Sequence, residues 1–181
     1  MLWCIWAAKE AAYKAISKVQ PDIPSVPRLY EVRLSLPEES QGIALISRAD
    51  AGRAGEVRTP CGVVPMAIAI TEDYVHCFGI RSEADAPAIL RQVTLLASDT
   101  AASPEGPSQC VREKAADAIA RHLNRPREEV AIRRFPTPSG LGPPLVFVRG
   151  RPSRIDISLS HDGRFAAWAM IIPPSNLVEK I

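Results

Sequence analysis

The sequence predicts an α+β fold in which a mostly antiparallel sheet packs against a long N-terminal helix and a second helix. Three observations carry this. The opening stretch keeps a helical period through Val19, and a second helical period covers residues 109–123. The remaining segments alternate apolar and polar residues between Pro- and Gly-rich turns, without the regular β-α alternation of a parallel sheet. The 181 residues, 46% of them hydrophobic, suit a single domain over 1–181 with enough bulk to bury a real core.

Taken in order, the first helix is expected over residues 2–19, ended by "QPDIPSVP", because Pro21 and the residue before it resist helix. "RLYEVRLSL" (28–36) alternates as a strand and "GIALIS" (42–47) as a second, shorter one. "ADAGRAGEVRTPCG" (49–62) is rich in turn formers and is expected to be a loop. "VVPMAIAITEDYVHCFGI" (63–80) reads as two strands joined at Glu72–Asp73. "EADAPAILRQVTLLAS" (83–98) reads as a short helix entering a strand, and "DTAASPEGPS" (99–108) as loop.

The second helix is expected to start from Ser108 as N-cap, with Val111, Ala115, Ala118, Ile119 and His122 on one face. "EEVAIRRF", "PLVFVRG", "RIDISLS" and "RFAAWAMII" then form the strands of the C-terminal third. No internal repeat is visible, and residues 40–100 are left open between an elaborated sheet and an insert.

Charge and composition exclude several classes. With 22 basic and 20 acidic residues the formal net charge is +2, and no run of like charges calls for nucleic acid or an anionic membrane. Four cysteines (Cys4, Cys61, Cys77, Cys110) without a C-x-x-C pair, and three scattered histidines, argue against a zinc site. The apolar "MLWCIWAA" stops at Lys9, far short of the roughly 18 residues of a membrane span. A cytoplasmic setting with free, mostly buried thiols is expected.

The first helix carries an anomaly. At about 100° per residue, Leu2, Ile5, Trp6, Ala12, Tyr13, Ile16 and Val19 fall on one arc, and Lys9 lands near its middle. Glu10 and Lys14 lie beside the arc at i,i+4. An ammonium there either snorkels to water, with Glu10 and Lys14 as an ordinary surface pair, or serves a phosphate-and-metal site.

The second constellation is "RIDISLSHDGRFAAWAM". Ile155, Ile157 and Leu159 alternate with Asp156, Ser158 and Ser160, and Asp162–Gly163 makes a hairpin turn with His161 at its mouth. This is either a plain amphipathic hairpin or a tip where a hydroxyl, an imidazole and Arg164 gather to grip a phosphate.

Together these stretches resemble a known family. "WAAKEAAYKA" (6–15) matches the W-x-x-K-E-A-x-x-K-A helix of the 4′-phosphopantetheinyl transferases, and "ISLSHDGRFAAWA" (157–169) resembles their Ser-His hairpin. The order of the two is that of the holo-acyl-carrier-protein synthase type. The resemblance covers residues 1–20 and 108–172 and does not extend to 40–100.

It implies transfer of the 4′-phosphopantetheine arm of coenzyme A to a serine of an acyl or peptidyl carrier protein, with Mg²⁺ as cofactor. By position, Glu10 is then a metal ligand, and Lys14 a pyrophosphate contact that also assists the attacking hydroxyl. Ser160 and His161 bind coenzyme A phosphates, and Lys9 helps neutralise phosphate. Relatives of this type often assemble as homo-oligomeric trimers.

The family also has a G-x-D strand before the helix, whose Asp holds the metal. The five residues before Trp6 contain no acid, so metal binding is expected to be weakened, with Asp156 and Asp162 as candidate substitutes. A non-catalytic homologue that binds coenzyme A or the carrier is the alternative.

Overall fold

The computed structural model describes residues 2–34, 53–80, 88–137, 140–174 and 178. Among these described residues three α-helices stand with strands that pair antiparallel, so the α+β class is borne out. The chain divides into two compact units, Met1–Pro87 and Ala88–Ile181.

In the first unit, α1 (Leu2–Ser17) packs on a four-stranded sheet. The sheet order is β1 (Glu31–Leu34), β2 (Arg53–Thr59), β3 (Gly62–Ile70), β4 (Val75–Gly79). The helix stops two residues earlier than its periodicity suggests. The amides of Val19 and Gln20 both donate to the Ile16 carbonyl at 2.9 Å, closing the last turn ahead of Pro21.

The buried face is offset from the large apolar arc and shares Ala12 with it, with Tyr13 and Ile16 partly buried at its margin. Leu2, Trp6 and Val19 are 77, 54 and 72% exposed, while Cys4, Ala8 and Ala12 are buried. The cause is close approach. A Cβ on Gly79 of β4 would stand 3.1 Å from Ala15 Cβ and 3.0 Å from Val64 Cγ1, so only a stripe of small residues fits between helix and sheet. That stripe meets Val57, Val64, Met66, Ile68 and Cys77, with Tyr30 closing one end.

The Thr71–Tyr74 turn falls where expected, with the Thr71 amide donating to the Tyr74 carbonyl at 2.9 Å. The expected loop 49–62 is corrected, since β2 runs through it. Gly55, at φ 152°, marks the bulge where the β2–β3 register shifts, and a side chain there would collide with the Arg33 carbonyl. A glycine that reads as a breaker is what allows this strand to lie against β1. The expected strand 42–47 and the helix ahead of Ala88 fall outside the described residues.

The second unit opens with β5 (Ile89–Leu95), α2 (Ser98–Ala102) and α3 (Gly106–His122). Then come β6 (Val130–Arg133), β7 (Pro136–Thr137), β8 (Gly140–Leu141), β9 (Leu145–Val148), β10 (Arg151–Pro152), β11 (Asp156–Asp162) and β12 (Phe165–Ile171). They form three-stranded sheets in the orders β10-β9-β6 and β11-β12-β5, with a β7-β8 ribbon.

Helix α3 lays Val111, Ala115, Ala116, Ile119 and Ala120 on Val130, Val146, Val148, Ile157, Trp168 and Met170. Three expectations fail here. The stretch 99–108 is not all loop, because its alanines carry the short α2. Helix α3 starts at Gly106 rather than after Ser108: Pro107, preset for a first turn, begins it, and the Ser108 hydroxyl instead accepts from Arg112 Nη1 at 2.8 Å. His122 is exposed rather than on the core face.

Candidate functional site

On α1 the anomalous lysine has a partner. Lys9 Nζ donates to the carbonyl of Pro27 at 2.9 Å, tying the short 3₁₀ turn Pro27–Leu29 to the helix flank. This is a structural tether, reached because Lys9 sits at the edge of the true buried stripe rather than in its middle.

One turn further, Lys14 Nζ lies 3.3 Å from Glu10 Oε1, with the two side chains 31 and 48% exposed. An exposed i,i+4 pair of this kind stabilises a helix by about 0.3–0.5 kcal/mol. Its position, not its energy, is what makes it available to a ligand. Both charged groups face solvent from a helix held firmly by its opposite face.

On the hairpin, β11 and β12 pair in register from Asp156↔Ile171 to Asp162↔Phe165. The loop is therefore Gly163–Arg164, one residue beyond the expected Asp162–Gly163, with Gly163 at φ 51°. Because strand residues alternate between faces, Ser160 (opposite Ala167) and His161 (opposite Ala166) point to opposite sides of the sheet.

His161 shares its face with Ile157 and Leu159 on the α3 side, and Ser160 shares its face with Asp162. Arg164 is committed to the ring of Phe165, its Cζ 5.2 Å from the centroid. β11 is the end strand of its sheet among the described residues, so a ligand lying along its outer edge has Ser160 on one side and His161 on the other.

The structure thus groups Lys9, Glu10 and Lys14 on one stretch of α1, and Ser160 with His161 on consecutive positions of β11. The first group belongs to one compact unit and the second to the other. Of the two candidate substitute acids, Asp162 lies on the Ser160 face one position past His161. Asp156 is six residues, about 20 Å, away along the strand.

Among the described residues no three His, Cys, Asp or Glu side chains converge. Mg²⁺ is commonly held by one or two carboxylates completed by phosphate oxygens and water, so Glu10 alone meets the lower bound of a site that a phosphate ligand would complete. Sequence reasoning missed the Pro27 acceptor, for which a separation of 18 residues leaves no local signal.

No family model, curated protein or solved structure matches this chain. No described helix is long and apolar enough to cross a membrane.

Proposed function

We propose that the chain is a 4′-phosphopantetheinyl transferase of the holo-acyl-carrier-protein synthase type, acting on coenzyme A and an acyl or peptidyl carrier protein. The observation that carries this reading is the solvent-facing Glu10–Lys14 pair at 3.3 Å on a firmly seated helix, within the motif of that family.

In the reaction, a carrier serine oxygen forms a bond to the β-phosphorus of coenzyme A, and the bond from that phosphorus to the bridging oxygen breaks. Adenosine 3′,5′-bisphosphate leaves with that oxygen, and the serine proton is lost. Mg²⁺, when bound, would offset charge on the diphosphate. Glu10 would hold it, Lys14 would contact the diphosphate and steady the serine hydroxyl, and Ser160 and His161 would bind phosphates along the β11 edge. Lys9, engaged with Pro27, contributes by fixing the flank from which Glu10 projects.

A second reading has support in the same pair. Glu10 is the motif's one acid and is already engaged by Lys14, as suits a homologue that binds coenzyme A or the carrier without transfer. Calorimetry with coenzyme A, with and without Mg²⁺, tests the shared part of both readings. Wild-type chain should bind, and His161→Ala should bind at least tenfold more weakly. Coenzyme A affinity that is undetectable, or unchanged in His161→Ala, counts against both.

A further inference from the structure

Within the second unit, Gln92 of β5 and the outer face of α3 line a cleft of about 390 Å³. Lys114, Asp117 and Arg121 come from the helix, and Arg125 and Arg127 from the turn that follows it. None of these residues belongs to the Glu10–Lys14 pair or to the Ser160–His161 edge. We propose that this cleft is a second anion site, built for a compact diphosphate or triphosphate group.

The charge balance supports this. Four cations face one carboxylate, and the negative end of α3 contributes only about half a charge, so a net positive field of more than two charges is focused into a concave surface. Glu129, shared between two arginines, offsets it only in part. That carboxylate is 2.8 Å from Arg149, and Arg125 approaches it only to 3.9 Å.

Arg121 and Arg127 are also held in place by groups that engage only part of each guanidinium. Arg127 donates through Nε to Asp117 Oδ1 and through Nη1 to the Val130 carbonyl, each at 2.7 Å. Arg121 donates through Nε to the Asp117 carbonyl at 3.3 Å. Among the described residues no acceptor meets Arg127 Nη2, the two Nη groups of Arg121 or Lys114 Nζ. The Arg121 fork, fixed at Nε and open at both Nη groups, with Arg127 Nη2 and Lys114 Nζ as further donors, suits the oxygens of a phosphate chain, and the anchoring reduces what binding must order.

A phosphomonoester would use only part of this array, whereas adjacent phosphates use it all. The volume falls within the range of small-molecule sites and leaves room for a nucleoside beyond the phosphates. Because the cations are exposed, binding should weaken steeply with salt.

Calorimetry at low salt tests the site with inorganic pyrophosphate, with ATP and with coenzyme A. The variants are Lys114→Ala/Arg121→Ala and, as a control for diffuse charge, Arg28→Ala; each is first checked by thermal melting. Pyrophosphate should bind, at least tenfold more weakly in the double variant and unchanged in Arg28→Ala. Arg121→Lys, which keeps the charge without the fork, should recover only part of the affinity.

Arg121-dependent binding of ATP or coenzyme A without pyrophosphate would keep the phosphate chemistry and assign its source to a nucleotide. No binding of any of the three, or equal losses in the double variant and the control, would overturn the site.

Discussion

Lys9 Nζ and the Pro27 carbonyl, 2.9 Å apart, connect the first helix to a turn that the chain reaches 18 residues later. That hydrogen bond turns a charge that looks misplaced on the helix into a clamp on the path toward β1. Its removal should cost about 1 kcal/mol, the usual net worth of such a bond, slightly more because the donor is charged. Urea unfolding of Lys9→Met should show a lower midpoint at unchanged slope. An unchanged midpoint would return Lys9 to a purely ligand-facing role.

The contact between Gly79 and the small-residue stripe of α1 is less forgiving. Gly79→Val would drive methyl groups into Ala15 and Val64, forcing the helix off the sheet at a cost of about 1–3 kcal/mol. Gly79→Ala should be milder, because Val64 Cγ1, at 3.0 Å, belongs to a side chain that can shift slightly. Thermal melting should rank wild type above Gly79→Ala and Gly79→Val last; equal melting temperatures would mean that the helix does not sit this close.

Cys77 gives a pH-dependent signature. Burial first, and then the neighbouring Cys4, push its thiol from an ordinary 9.0 up to about 12. Its Sγ–H donates to the Cys4 carbonyl at 3.8 Å. Below pH 9 both folded and unfolded chains keep this proton. Between about 9 and 12 only the unfolded chain loses it, so the unfolded state binds fewer protons and stability falls as pH rises, by up to about 1.4 kcal/mol per unit. Cys77→Ala should show a shallower alkaline decline than wild type; parallel declines would contradict the burial. In the native state Cys61, which is exposed, should react with a thiol reagent well before buried Cys4 and Cys77.

Much of this architecture was legible. The second helix and the C-terminal hairpin were found because periodicity and turn chemistry agree there, and only their end residues moved. The buried face of α1 was misread because large apolar side chains dominate a periodicity count, whereas helix-to-sheet distance selected Cys4, Ala8 and Ala12. Strand β2 was hidden by Gly55 and by the charged residues beside it, since strand pairing outweighed local preference. The i,i+4 spacing of Glu10 and Lys14 anticipated their 3.3 Å approach, and strand alternation anticipated the opposite facing of Ser160 and His161, whereas the end of the hairpin moved by one residue. The α3 cleft gave no motif, because its cations are spread from Lys114 to Arg127 and meet only when the helix and its following turn are formed.

The most direct test of the central claim is to incubate the chain with coenzyme A, Mg²⁺ and an apo-carrier protein and weigh the carrier by mass spectrometry. The account predicts that the carrier gains one phosphopantetheine with wild-type chain and none with Glu10→Gln. A carrier of unchanged mass with wild-type chain, or equal gain with Glu10→Gln, would contradict it.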